Sequence, residues 1–359
     1  MQIALVCDWL TNFGGAEQVM LALHELFPFA PIYTSVYNQD KMPSFRMAEM
    51  HTSFLQKIPG AQKYHQLFLE LMPYAFESFD LSDYDVVFSN CHSCAKGVIT
   101  KPETTHLCYC HTPTRYLWGD WQAYLADFPL PFWLKPLISS RLHKLRQWDF
   151  LAASRVDHFF ANSRNVQERV KKYYRRESEV LYPPVRISDF KLSQNEGSYF
   201  LAVGRLIPYK RFDLVIRAFN QLKLPLWIAG EGPEYRKLKT LAKTNVKFCG
   251  RVNDTELAEL YGNCRALIFP QEEDFGIVPL EAQACGRPVL AYGCGGALET
   301  VVEEKTGLFF QTQTPEAIAA VVQEFASRKW DSISIRHHAE QFDTEVFKEK
   351  VRGIIETNS

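Results

Sequence analysis

The sequence predicts an α/β protein of two doubly wound domains. Short apolar runs alternate with helix-length amphipathic stretches from end to end. Strands that each hand over to a helix imply parallel sheets covered on both faces. The alternation breaks once, at Leu181-Tyr-Pro183-Pro184-Val185, where two prolines oppose both helix and central strand and mark a hinge. At 359 residues, with 47% hydrophobic and 23% charged, the chain is globular in composition and long enough for two domains.

In the first half, Ile3-Ala-Leu-Val-Cys7 reads as a buried strand. Gly14-Gly15 then opens a helix to Leu26, with Val19, Ala22, Leu23 and Leu26 on one face. Tyr84–Ser89, Thr105–Cys110 and Asp157–Ala161 repeat the strand signal. Asn162-Ser163 suits the cap of a helix running to about Tyr174. After the hinge comes the polar run Ser193–Gly197. The expected strands are then Tyr199–Val203, Leu226–Ala229, Lys247–Cys249, Ala266–Phe269, Pro288–Ala291 and Gly307–Phe310. Helices begin at Asn253-Asp254 and at Thr314-Pro315, where proline suits the first helical position. The segment 344–356 carries Val346, Phe347, Val351, Ile354 and Ile355 at helical spacing. In doubly wound sheets ligands sit beyond the carboxyl ends of the strands, so a deep cleft between two such domains is the expected site.

Composition excludes several classes. Forty Lys and Arg against 41 Asp and Glu leave a net charge of -1, with no global pull toward nucleic acid. No apolar run reaches the ~20 residues of a membrane span. The opening segment has no basic stretch, and Asp8 cuts its apolar run short, unlike an export signal. Nine cysteines, an odd number, then read as reduced thiols of a cytoplasmic protein.

Four segments can carry chemistry. Gly14-Gly15 follows a strand and opens a helix, where backbone amides and the helix dipole suit an anion such as phosphate; an ordinary strand-to-helix turn has the same residues. Gly204-Arg205-Leu-Ile-Pro-Tyr-Lys210-Arg211 gathers cations at a helix start, which the dipole disfavours. A bound diphosphate on Arg205 and Lys210 resolves that conflict, while Arg211 reads as a solvated basic turn. Glu273-Asp-Phe-Gly276-Ile-Val-Pro-Leu-Glu281 spans a strand-to-helix loop and can turn two carboxylates toward the hydroxyls of one ligand. The amides of Ile277 to Leu280 add a second anion-binding helix start. His111-Thr-Pro-Thr-Arg115-Tyr-Leu-Trp118 lies just past a strand, on the ligand side of the sheet; a lone histidine is more often structural.

Together these pieces resemble the retaining glycosyltransferases of family 4, the "glycosyl transferases group 1", which have the GT-B fold of two Rossmann-like domains. The matching residues are Gly14-Gly15-Ala16-Glu17, His111–Trp118, Val203–Lys210, Ala229-Gly-Glu-Gly-Pro233 and the pair Glu273/Glu281, in the family's order over nearly the whole chain. The resemblance implies an acceptor-side domain over 1–182 and a nucleotide-sugar domain over 183–343, with the helix 344–359 crossing back to the first. It implies that Arg205 and Lys210 bind the donor diphosphate and that Glu281 holds the ribose. Glu273 would hold the transferred hexose, with backbone groups of Phe275, Gly276, Ile277, Val278 and Leu280. Gly15 would approach the distal phosphate, with Gly14 also on the donor, Arg251 and Val252 would border the base, and His111 would face the reacting sugar. The catalytic set is then His111, Arg205, Lys210 and Glu273. With cations and helix starts to stabilise the leaving diphosphate, no metal or other cofactor is required.

Other patterns are set aside. Cys91-His-Ser-Cys94 and Cys108-Tyr-Cys110-His111 look like zinc half-sites, but the second pair lies on one face of an apolar strand, where buried thiols are common. Asp83-Tyr-Asp85 precedes its strand and reads as turn chemistry. Gly230-Glu-Gly232-Pro lacks the third glycine of a dinucleotide fingerprint. Phe128–Trp148 interleaves apolar and basic residues, which would suit an anionic membrane carrying a lipid-linked acceptor. Pro131 and Pro136 interrupt the pattern, so a helix with a solvated basic face comes first.

The expected function is hexose transfer from a nucleotide sugar, UDP-glucose before GDP-mannose, to a glycan or lipid-linked acceptor in cell-surface polysaccharide synthesis. The site would be cytoplasmic, with peripheral contact at the inner face of the membrane. A nucleotide-sugar epimerase of the same fold and a non-catalytic nucleotide-sugar-binding subunit are the alternatives.

Overall fold

The computed structural model describes residues 1–119 and 135–358, with backbone alone at 135–138. It divides into two compact units: Met1–Pro184 with Phe347–Ser359, and Val185–Val346.

The first unit is built on a seven-stranded sheet. Its strands are β1 (Ile3–Cys7), β2 (Ile32–Thr34), β3 (Met50–Thr52), β4 (Val86–Cys91), β5 (Thr105–Cys110), β6 (His158–Ala161) and β7 (Glu179–Val180). They lie in the order β3-β2-β1-β4-β5-β6-β7, every neighbouring pair parallel. Alternation along each strand loads both faces. Ala4 and Val6 pack with Met72, Phe76 and Cys108 on one side, while Leu5 and Cys7 pack with Val19, Leu23 and Tyr109 on the other. Burial of both faces is what a parallel sheet requires. β2, β3 and β7 have two or three residues each, too short to stand out in the sequence.

The second unit holds six parallel strands: β8 (Tyr199–Val203), β9 (Leu226–Ala229), β10 (Val246–Gly250), β11 (Cys264–Phe269), β12 (Val289–Tyr292) and β13 (Gly307–Phe310). Their order is β10-β9-β8-β11-β12-β13. Both sheets therefore reverse direction at one place, between β1 and β4 in the first and between β8 and β11 in the second. Connections leave to opposite sides at such a switch point, and the gap they leave is where ligands bind.

Local chemistry fixes the helix starts. Ser163 accepts from the Val166 amide at 3.1 Å to cap Arg164–Tyr174. Asn253 and Glu256 form a reciprocal capping box on Asp254–Asn263. Thr314 caps the helix at Pro315. Each such cap is worth about 1 kcal/mol. The helix Thr344–Thr357 starts within the second unit's stretch of chain, and its Phe347, Val351 and Ile355 are buried against Leu5, Leu23 and Tyr109 of the first.

Cys91, Cys94, Cys108 and Cys110 belong to the first unit's core. Burial raises the Cys91 and Cys94 thiols well above their ordinary range, so they stay protonated. Asp85 accepts from the Gln2 amide at 2.6 Å, a strand-edge role. Of the apolar-basic segment 128–148, residues 128–134 lie outside the described residues. The helix Lys135–Ser154 follows. Among the described residues no helix is long and apolar enough to cross a membrane.

Candidate active site

In the second unit the site grows from the two strands that flank the switch point. β8 ends at Val203, and Gly204–Lys210 forms the next loop, closing with a short 3-10 turn at Pro208–Lys210. The following helix is Phe212–Leu222, entered through Arg211 at φ 53. The sequence places the cations on the helix start itself. The structure holds Lys210 in the turn before it, so the conflict with the dipole is relieved by geometry as well as by pairing. Lys210 is almost buried and its ammonium pairs with the Glu273 carboxylate from the loop after β11. Gln271 donates to the same Glu273 oxygen, Oε1, at 3.0 Å. Arg205 is exposed and makes no ion pair among the described residues. Arg211 is occupied elsewhere, 3.6 Å from Asp213 and 3.4 Å from Gln313.

Two glycine segments hold these loops in place. Gly230 has φ +140, and a Cβ there would sit 1.9 Å from the Gly204 carbonyl oxygen. The Gly230-Glu-Gly232 run is thus a shelf against which the Arg205 loop lies, joined by Gly204 N to Ala229 O at 3.0 Å and Leu206 N to Glu231 O at 2.8 Å. The second segment is Gly295-Gly296. A Cβ on Gly296 would sit 2.2 Å from the Phe275 Cα, and its amide donates to Glu273 O at 2.8 Å. Sequence reasoning missed this pair and Gln271. The double glycine after β12 was the available signal.

Glu281 lies in the helix Ile277–Ala284, whose cap is Gly276 at φ 92. Its Oε2 accepts from the Tyr261 hydroxyl at 2.7 Å. Burial raises its pKa, and the Tyr261 bond only partly offsets that. A half-buried carboxylate with one protein donor among the described residues has acceptor capacity to spare for a ligand's vicinal hydroxyls. Phe275, Gly276 and Leu280 are buried; Ile277 and Val278 are half-buried. Arg251 is exposed after Gly250. Val252 lines a cavity of about 590 Å³ with Trp227, Phe248, Glu256 and Leu260. None of Arg205, Lys210, Glu273 and Glu281 lines that cavity, so the structure does not bring Val252 together with them there.

In the first unit, the loops after β1, β4 and β5 carry the candidate residues. Asp8, 1% exposed, accepts from the amides of His92, Ser93, Cys94 and Ala95 at 2.6–2.9 Å. This ties the loop after β4 to the end of β1 across the switch point; the sequence reading had given Asp8 no such role. Gly14 caps the helix Gly15–Leu26 with extended backbone, and both glycines are exposed. The Glu17 carboxyl, its pKa raised by burial, reaches back to the Gly14 and Glu17 amides. It therefore shares the helix start that the sequence assigns to phosphate. His111 follows β5, half-buried, with Nε2 2.6 Å from Asn90 Oδ1. Burial, helped by the charge of His92, pushes its pKa down to about 3, so it is neutral at ordinary pH. Beyond it, Thr114 and Trp118 donate to Asp149 at 2.9 and 2.7 Å, which fixes the segment that starts at His111.

Comparison with known proteins bears on the fold and on residues 186–342. Residues 186–342 match the family model of glycosyl transferases group 1. An uncharacterized glycosyltransferase of Methanocaldococcus jannaschii is 25% identical over 211 residues, 56% of this chain and 59% of the relative. O-antigen chain mannosyltransferase C of Escherichia coli is 26% identical over 227 residues, 56% of this chain and 60% of the relative. The chain thus spans about 60% of the length of these curated relatives. Anabaena HepE, solved in complex with UDP, superposes with a TM-score of 0.72 at 17% identity, covering 99% of this chain and 100% of its own. Sucrose-phosphate synthase of Thermosynechococcus elongatus superposes with a TM-score of 0.72 at 16% identity, covering 99% of each chain. At such identities these two structures speak for the fold alone, which is GT-B with two Rossmann-like domains. Residues 186–342, which contain Arg205, Lys210, Glu273 and Glu281, are thus the part of the chain that is similar to the glycosyl transferases group 1 family.

Proposed function

We propose that the chain is a retaining, metal-independent hexosyltransferase that moves a sugar from a nucleotide sugar to a glycan or lipid-linked acceptor in cell-surface polysaccharide synthesis. One observation carries the reading: Lys210 and Glu273 meet between the two loops that flank the second unit's switch point, with the exposed cation Arg205 on one of them. A cation pair for a diphosphate and a carboxylate for sugar hydroxyls are what a nucleotide sugar needs at its two ends.

In this reading the bond from the anomeric carbon to the diphosphate oxygen breaks with oxocarbenium character. Negative charge grows on the diphosphate, and Arg205, Lys210 and the amides at the start of Ile277–Ala284 stabilise it. Glu273 orients the hexose and Glu281 the ribose. The acceptor hydroxyl attacks the face the diphosphate leaves, and its proton passes to the departing phosphate oxygen. No carboxylate nucleophile is required. The charge stabilisation needs no divalent cation, since two side chains and a helix start supply it.

For the donor, the expectation from sequence was UDP-glucose before GDP-mannose. The relatives named O-antigen mannosyltransferases, at 26–30% identity, support a mannosyl donor. HepE, solved with UDP-glucose at 17% identity, supports a glucosyl one. We give the relatives of higher identity more weight and take GDP-mannose as the proposed donor. The acceptor is a growing glycan or its lipid-linked form, met at the cytoplasmic face of the membrane.

Calorimetric titration of GDP and of UDP, each with EDTA present, tests this. Tight binding of GDP without metal is the expected result. Preference for UDP restores the glucosyl donor. Binding of neither, or only after a divalent cation is added, overturns the metal-free diphosphate site.

A further inference from the structure

Asn90 stands at the carboxyl end of β4, 2% exposed, in register with Cys7 on one side and Tyr109 on the other. His111 is two residues past Tyr109, so alternation along the strand brings it to the same face of the sheet as Asn90. The helix Gly15–Leu26 covers that face. Asn90 therefore touches two things at once. Its Nδ2 donates to the Ala16 carbonyl in the first turn of the helix at 2.9 Å, and its Oδ1 lies 2.6 Å from His111 Nε2.

A carbonyl oxygen can only accept, so the Ala16 contact fixes which end of the amide is which. The end left for His111 is the oxygen, and it too only accepts. Nε2 must then carry the hydrogen. In a neutral imidazole the other nitrogen, Nδ1, is left with its lone pair. Among the described residues no hydrogen bond to Nδ1 is made, and the ring is half-buried rather than sealed.

We propose that Asn90 is a positioning residue: it locks His111 as the Nε2–H tautomer and so presents Nδ1 as a fixed acceptor for a ligand hydroxyl at the carboxyl end of the first sheet. The tautomer follows from the contacts above; the hydroxyl rests on the nucleotide-sugar reading. The depressed pKa of His111, about 3, agrees with an acceptor rather than a proton shuttle, because a useful general base titrates near the operating pH. The one amide also couples the helix start at Gly14-Gly15 to the histidine, so neither can shift without the other.

The test is nitrogen NMR of the whole protein labelled at its ten histidines, with His111→Gln to assign the signal. The bare and protonated ring nitrogens resonate far apart, so the spectrum reads the tautomer with no donor or acceptor present. The expected wild-type signal is protonated Nε2 and bare Nδ1. Asn90→Leu should mix the tautomers, while Asn90→Asp, which keeps the acceptor, should restore Nε2–H. A wild-type His111 protonated on Nδ1 would overturn the proposal, as would an unchanged signal in a folded Asn90→Leu protein. Adding the nucleotide sugar then tests the second half: Nδ1 should shift on binding in wild type. A donor that binds without moving Nδ1 removes the hydroxyl contact. A donor that does not bind at all removes the nucleotide-sugar reading and leaves the tautomer result standing.

Discussion

Two of the lysine–carboxylate pairs among the described residues are built in different ways. Lys96 and Asp149, in the first unit, are each 1% exposed and 2.5 Å apart. Lys96 also donates to Ser93 O at 2.6 Å, and Asp149 accepts from Thr114, Trp118 and Tyr174. Burial works against the Lys96 charge, but Asp149 and the neighbouring Tyr174 outweigh it and hold its pKa well above the ordinary value. Lys210 and Glu273, in the second unit, lie at strand ends with 10% and 19% exposure. Both contacts on Glu273 fall on Oε1, and Oε2 has no partner among the described residues. A pair whose carboxylate is saturated belongs to the scaffold, because nothing can be exchanged without leaving a buried charge unpaired. A pair with a spare oxygen at a loop end can trade its partner for a ligand.

The largest effect expected from this contrast is on folding. Lys96→Met should cost about 3–5 kcal/mol of stability by stranding Asp149, seen as an early transition in chemical unfolding. A protein of wild-type stability would show that the two pairs are not different in kind. Lys210→Ala should do the reverse. Its melting temperature should stay near wild type while transfer slows by about 2–4 kcal/mol of barrier, from lost charge stabilisation on the diphosphate. Wild-type turnover in that variant would remove Lys210 from the site.

A smaller effect concerns the first unit's interior, which accepts charge only where it is paired. Burial depresses His106, against the pull of Asp157, to about 4 and His111 to about 3. Their folded values lie below the unfolded value of about 6.5, so they contribute stability above that pH. As pH falls below it the unfolded chain takes up protons first, and each histidine removes up to about 1.4 kcal/mol per pH unit. Thermal melts between about pH 7 and about pH 4 should show this loss, and His106→Gln should reduce the slope if it folds. An unaltered slope would mean that other groups carry the acid sensitivity.

The smallest expected effect sharpens the contrast most. Glu273→Gln removes the carboxylate charge that pairs with Lys210. Free nucleoside diphosphate should then bind tighter, by up to about tenfold, while transfer of the hexose falls. Calorimetry beside a transfer assay separates the two. Weaker binding of the bare nucleotide would show that Glu273 does not compete with it.

Much of this was legible in the sequence, for reasons of range. β1, β5, β8, β9 and β13 begin and end where their apolar runs do, because each is a central or well-filled strand of four to six residues. Ile32–Thr34, Met50–Thr52 and Glu179–Val180 were not found, being too short for period two to show. Lys210 and Glu273 were singled out separately by their loops. That they touch each other is a fact of 63 residues' separation that no local pattern carries. The same holds for Asp8 with the loop after β4, for Gly296 with Phe275, and for Asn90 with Ala16 and His111. Side chains that act on a ligand announce themselves by type and spacing. Those that hold them in place are ordinary residues, recognisable only by where they end up.

The last helix bears on the order in which the molecule can be made. Residues 185–346 are one unbroken stretch, so the second unit has all its parts as soon as that stretch leaves the ribosome. The first unit does not. Its early 184 residues must wait, through the synthesis of the whole second unit, for Phe347, Val351 and Ile355 to close the face formed by Leu5, Leu23 and Tyr109. Each of those side chains withholds about 1.5–3 kcal/mol until then. The nascent first unit is therefore open-sided while residues 185–346 are being made, and it is closed by a helix that follows them.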